Sequence, residues 1–306
     1  MFWFLTAALA ADGGCSASAP LTCMQEAVAQ RAEAPEAAAA MLQTACDAGL
    51  ADGCSTLGAM KASGELGAPD PSGALALFER ACLEGSAHGC SQVTGALVRT
   101  EPARAAKVLE AACGRDVSVA CEDLGALHAN GTGVARDESQ AIALYRRACE
   151  LPRPSCRQLG VRTVEGRGVD QDVGAGLRML QTTCAAGSAQ TCRTLVGYLD
   201  DPGVTTRDPG ALAMARQAGC EAGDAWSCAG LGFQLYKGDG IPADEAGALV
   251  LLAKACDGGE GAACGGLGFH HREAGDVAAA KEWFAKGCMA QLDQACLDLA
   301  ALNNPK

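Results

Sequence analysis

Aromatic residues are scarce in this chain. Three Trp, three Tyr and six Phe make up only 4% of its 306 residues. Aromatic side chains supply much of the buried area in most cores, so a thin core dominated by alanine and leucine is expected. Histidine is scarcer still, with only His88, His128, His270 and His271. Lys and Arg total 24 against 36 Asp and Glu, a net charge of −12. That balance argues against nucleic acid or an anionic membrane as the main partner, because both favour basic surfaces. No apolar run is long enough to span a bilayer; Phe2 to Ala11, FWFLTAALAA, reaches ten residues. The chain has no G-x-S-x-G, no H-E-x-x-H and no phosphate-binding glycine loop, and S-x-x-K, S-D-N, K-T-G and C-x-x-C are missing too. No cofactor, metal centre or catalytic constellation is implied.

Cysteine, in contrast, is abundant and ordered. The 18 cysteines form nine couples: Cys15/Cys23, Cys46/Cys54, Cys82/Cys90, Cys113/Cys121, Cys149/Cys156, Cys184/Cys192, Cys220/Cys228, Cys256/Cys264 and Cys288/Cys296. Eight couples are eight residues apart and Cys149/Cys156 is seven apart, and the first members advance by 31 to 36 residues. A period of that size marks a stacked-repeat architecture.

Each repeat reads as two helices. Twelve residues before the first cysteine stand Asp70, Glu101, Asp137, Asp172, Asp208, Asp244 and Asp276. Aspartate there caps a helix N-terminus; Glu101 suits the positive helix end but caps less well. Five and four residues before the cysteine come apolar couples, Met41/Leu42, Leu77/Phe78, Val108/Leu109, Leu144/Tyr145, Met179/Leu180, Leu251/Leu252 and Trp283/Phe284, which form a buried helical stripe. Three residues beyond it, Gly49, Gly85, Gly187, Gly223 and Gly259 can end the helix in the left-handed conformation, and Pro152 stops the chain at the matching place. The next helix begins near the second cysteine. Four residues after that cysteine, Gly58, Gly125, Gly160, Gly232 and Gly268 imply two helices too close for a side chain. The product is a right-handed, all-α solenoid of about eight αα-hairpins plus a terminal helix, with residues 15–306 forming one domain.

Each cysteine couple spans the loop between successive hairpins, where helix ends lie within bridging distance. Closing so short a loop contributes about 2.5 kcal/mol by chain entropy. Zinc ligands favour couples two to four residues apart, so disulfides are the favoured reading, in an oxidising compartment.

The segments LGALHANGTGVARDESQAIALYRRAC and LGFQLYKGDGIPADEAGALVLLAKACDGGEGAAC resemble Sel1-like repeats, a subclass of the tetratricopeptide-type solenoid. The paired cysteines are similar to those of the secreted, cysteine-rich Sel1-repeat proteins of Helicobacter. The resemblance implies a secreted or periplasmic protein. Some relatives are described as penicillin-binding proteins with weak β-lactamase activity, others as adaptors, and no catalytic residue of that branch transfers to this chain.

Residues 1–14 carry two readings. FWFLTAALAA resembles the core of a secretory signal, with Ala8-Leu9-Ala10 as a small-x-small cleavage site, yet no Lys or Arg precedes it. The alternatives are translation starting upstream of Met1 or an apolar cap on the first repeat. Cys15 is either the disulfide partner of Cys23 or a lipidated anchor; the disulfide keeps the cysteine count even and is preferred.

The candidate ligand face comprises Arg193, Tyr198, Trp226, Tyr236, His270 and His271. Tyr198 and Tyr236 lie on first helices, which often line the concave face of a solenoid, with Arg193 as a polar neighbour. Trp226 reads as a loop residue between the cysteines of one couple, packing over the disulfide or marking a contact surface. His270-His271-Arg272-Glu273 is a dense polar group where the long intra-repeat turn is shortened, read first as a solvated turn. The first functional reading is an exported, non-enzymatic scaffold that binds a protein or peptide. The second is a β-lactam or peptidoglycan-fragment hydrolase, and the third a structural envelope protein without a discrete ligand.

Overall fold

The computed structural model describes residues 15–152 and 154–304. The signal-or-cap reading of residues 1–14 lies outside the described residues. The chain divides at Ser155/Cys156 into two compact units.

The first unit holds α1 (Pro20–Gln30), α2 (Pro35–Asp47), α3 (Ala51–Ser63), α4 (Pro71–Leu83), α5 (Ala87–Leu97), α6 (Pro102–Cys113), α7 (Ser118–Asn130) and α8 (Glu138–Glu150). The second holds α9 (Arg157–Glu165), α10 (Val173–Ala185), α11 (Ala189–Asp200), α12 (Pro209–Glu221), α13 (Ala225–Lys237), α14 (Glu245–Asp257), α15 (Gly261–Glu273), α16 (Val277–Met289) and α17 (Asp293–Asn303). Each odd-numbered helix through α15 pairs with the helix after it, so the first unit holds four αα-hairpins and the second holds four and a final helix. This is an all-α solenoid architecture, and the described residues contain no strand.

Local chemistry sets the helix boundaries. Asp70, Asp137, Asp172, Asp244 and Asp276 each accept a backbone N–H three residues on, at 2.8–3.0 Å, and Asp208 accepts from Gly210 and Ala211. Glu101 occupies the same position without capping, and its carboxylate pairs with Arg104 instead. The longer side chain overshoots the amides that aspartate reaches. At the other end of each second helix, Gly49, Gly85, Gly187, Gly223 and Gly259 adopt φ of 85° to 105°. Asp116 and Gln291 hold this register in two repeats, at φ of 62° and 63°, where a Cβ is strained.

The cysteines close the joints. The bonds Cys15–Cys23, Cys46–Cys54, Cys82–Cys90, Cys113–Cys121, Cys184–Cys192, Cys220–Cys228, Cys256–Cys264 and Cys288–Cys296 hold Cα atoms 4.2–4.8 Å apart. Cys149 and Cys156 are disulfide-bonded as well, and no described cysteine is free. Cys15 is bonded to Cys23.

These bonds staple the short loops between helix ends, as expected, and the structure adds where in the following helix each one lands. In all eight the second cysteine is already the fourth residue of its helix: Cys23, Cys54, Cys90, Cys121, Cys192, Cys228, Cys264 and Cys296. The helix starts earlier than the cysteine because its caps stand earlier. Ser86, Ser188 and Asp224, each four residues before Cys90, Cys192 and Cys228, accept a backbone N–H of the first turn. The first turn thereby turns the sulfur inward, and Cys90, Cys121, Cys192 and Cys264 are fully buried core atoms. Cys296 is only partly buried, because no described hairpin packs beyond α17. Cys156 departs from the series as the N-cap of α9, one residue outside its helix.

Within five of the hairpins a glycine of the first helix (Gly58, Gly125, Gly160, Gly232 or Gly268) meets the buried stripe of the second. A Cβ on Gly125 would stand 2.6 Å from Tyr145 Cε1 and 3.2 Å from the Ala141 carbonyl. Tyr145 and Phe284 are fully buried, as core residues of their stripes. Gly125→Ala is therefore expected to destabilise by about 1–3 kcal/mol through overpacking, despite alanine's better helix propensity. Gln291→Gly is expected to do the reverse, because it relieves a left-handed Cβ. Urea unfolding midpoints check both; a raised midpoint for Gly125→Ala would contradict the close-contact account.

Candidate binding surface

The six candidate ligand-face residues all lie in the second unit, on the first helices α11, α13 and α15. Trp226 is thus a residue of the first turn of α13 and not of a loop. The structure brings five of the six together in two groups and leaves Tyr198 with a separate partner.

In the first group, Arg193 of α11 reaches across one repeat to Asp224, the N-cap of α13, whose other oxygen accepts from the Ser227 backbone at 3.0 Å and from the Ser227 hydroxyl. Burial pushes the Asp224 carboxyl up, but hydrogen bonds from Arg193 and Ser227 outweigh it and hold the group below the usual range. The Arg193 guanidinium also lies 5.4 Å from the centre of the Trp226 ring, within cation–π range. Trp226 remains 40% exposed. Its indole is thus a surface stacked with arginine.

In the second group, the Tyr236 hydroxyl of α13 lies 3.3 Å from His270 Nδ1 on α15, with the rings edge to face at 5.9 Å. His270 also approaches Glu245 at 3.6 Å, and His271 approaches Asp276 at 3.9 Å. The imidazoles are 5.5 Å apart. Tyr236 is 38% exposed. Arg272 stacks inward instead, 4.5 Å from the Phe269 ring, and pairs with Asp298. The group expected as a solvated turn is therefore the last turn of α15, tied to both neighbouring first helices.

Tyr198 donates to Glu165 Oε1 at 2.7 Å. Burial, then the bond to Glu165, push its phenol up to about 12.

No group of three or more His, Cys, Asp or Glu able to hold a metal occurs among the described residues, and no described helix is long and apolar enough to cross a membrane.

Repeat six carries an irregularity that pattern reading passed over. Where the other second helices place an apolar couple, α12 has Ala215 and Arg216. The Arg216 side chain is only 14% exposed. It donates to Gln234 at 3.0 Å, lies 4.0 Å from Asp200, and packs over Gly230. Burial lowers its pKa, opposed by Asp200. On the opposite side of α12 an apolar cavity of about 180 Å³ opens between α10, α11 and α12. The detectable signal was an omission: one couple missing from an otherwise regular series.

The Sel1 repeat family model matches residues 51–86, 118–152, 154–188 and 227–260. Among solved structures, a protective antigen of uropathogenic Escherichia coli strains displaying an SLR fold is 20% identical, with a TM-score of 0.53 over 92% of this chain. This chain spans only 64% of that protein's length. A Sel1 repeat protein from Oxalobacter formigenes is 21% identical, with a TM-score of 0.51, covering 80% of this chain and 74% of its own. No curated protein matches the chain. The chain has a cysteine-rich, Sel1/tetratricopeptide-like repeat fold.

The Tyr198 environment gives a pH prediction. A phenol whose folded pKa is raised contributes stability below pH 10 that is lost as pH rises toward about 12. Absorbance titration of the three tyrosines should show Tyr198 still protonated at about pH 11, and Glu165→Gln should lower its midpoint. An unchanged midpoint in that variant would assign the shift to burial alone.

Proposed function

We propose that this chain is an exported, non-enzymatic scaffold that binds a protein or peptide partner on the face formed by the first helices of its second unit, the face expected to be concave. The observation that carries the reading is α13, which presents Trp226 and Tyr236 while its neighbours α11 and α15 supply Arg193 and His270 beside them. Exposed aromatic residues with arginine at their side are the composition enriched at the centres of protein interfaces. The absence of free cysteine among the described residues supports an oxidising compartment, secreted or periplasmic, and the likeness to the Helicobacter cysteine-rich proteins belongs to the same proposal.

Photo-crosslinking in the native cell tests it. A benzophenone amino acid at Trp226, Tyr236 or His271 should give one shared adduct, and the same probe at exposed Lys107 on α6 should not. Adducts at Lys107 alone, or at none of these positions, would overturn the assignment of the face.

A further inference from the structure

Seven of the eight second helices carry a large apolar residue five positions before their first cysteine: Met41, Leu77, Val108, Leu144, Met179, Leu251 and Trp283. In α12 the residue is Ala215. Two positions before the cysteine, several second helices carry a cation that reaches back to the C-terminus of the preceding second helix. Arg80 donates to the Cys46 carbonyl at 2.7 Å and Lys254 to the Cys220 carbonyl at 3.0 Å. In α12 that residue is Ala218. Repeat six therefore lacks both side chains that close this groove in the next repeat, where Leu251 packs into the core and Lys254 covers the helix end.

The cavity lies where these groups are missing. Ala215 and Ala218 line it with Leu177, Leu195, Leu199 and Gln181, and Met214, 60% exposed, also lines it. Val250, at the register of Met214 in α14, is exposed as well. An exposed apolar side chain at the mouth of an apolar cavity marks a contact site more often than isolated surface apolar groups do. At the α10 C-terminus, the Cys184 carbonyl accepts the Gly187 backbone N–H at 2.9 Å, but α12 carries no counterpart to Lys254. The helix end keeps its partial negative charge there, in a chain of net charge −12.

We propose that this cavity is a socket for a partner protein segment that supplies both missing groups. An aliphatic side chain seats over Ala215, and a lysine or arginine close to it in the partner's sequence addresses the carbonyl end of α10. The occupant is thereby specified by size and by sign of charge. The inference rests on the scaffold reading but places a second contact on the opposite, second-helix side of the hairpins.

A displayed library of random peptides, selected against the folded, disulfide-bonded chain, tests the socket. Enriched peptides should share Leu, Ile or Met with Lys or Arg within about four residues, the spacing that keeps two side chains on one face. Binding should weaken at least about tenfold, roughly 1.4 kcal/mol, in Ala215→Leu/Ala218→Lys, which restores the sealing pair, with its thermal midpoint retained. Met214→Glu, an exposed substitution that leaves the core alone, should weaken it as well. Enriched peptides that lack a basic residue, equal binding to the filled variant, or no enrichment would each overturn the socket. Peptides lost on Trp226→Ala/Tyr236→Ala but kept by the filled variant would overturn the socket while upholding the first-helix face.

Discussion

A short disulfide joins the C-terminus of seven of the eight second helices to the first turn of the helix that follows, and each unit's packing depends on that joint. An αα-hairpin of this composition cannot bury its apolar stripe alone; it does so against the next hairpin. The stripe is thin, resting on single residues such as Leu42, Phe78, Tyr145, Leu180, Leu252 and Phe284 among alanines. With so little apolar area to fix the angle between hairpins, a covalent link between residues eight apart sets the approach and lowers the entropy of the unfolded chain. The buried cysteines also serve as core atoms.

Two sets of polar contacts run at the repeat spacing and reinforce the joint. On the second helices, cations of one repeat address the acidic and carbonyl-rich end of the previous one: Arg80 with Asp47 and the Cys46 carbonyl, Arg115 with the Leu83 carbonyl, Arg147 with Asp116, and Lys286 with Asp257. On the first helices the contacts are more varied, including Arg31 with Glu65, Ser86 with Asp52, Tyr198 with Glu165, and Arg193 with Asp224. Much of the chain's acidity is thus engaged locally, in caps and in rungs between repeats. Individually such exposed pairs contribute little. Their role is registration, because each pair forms only when neighbouring repeats are correctly aligned.

The sequence exposed whatever was local and repeated. Asp at a fixed distance before cysteine means a cap, Gly at a fixed distance after it means a left-handed end, and the couples mean staples; each follows from the residue and its spacing. The exact start of the first helices is not legible in the sequence, because their caps vary between Ser86, Ser188 and Asp224 and form no single repeated signal. Asp116 and Gln291 were not legible as left-handed residues, because neither side chain demands that conformation and only alignment with the glycines of other repeats reveals it. The pairing of Arg193 with Asp224, and of Tyr236 with His270, depends on rotamers across a repeat boundary, which spacing alone does not specify. Trp226 was legible as unusual but not in its pairing, and the structure places Arg193 beside its ring. Repeat six escaped notice because alanine raises no alarm: the information at Ala215 and Ala218 lies in what other repeats have there.

Fold, compartment and proposed role all lean on the same covalent joints, so their state in the cell is the most direct measurement. Non-reducing peptide mapping with intact mass, on protein recovered from fractionated native cells, reports it. The account predicts an extracytoplasmic fraction in which every bond links neighbouring cysteines of one couple, such as Cys46 to Cys54 and Cys220 to Cys228. Free thiols throughout, or bonds that cross between couples, would contradict it, for the hairpins would then be held by packing that the thin core does not supply.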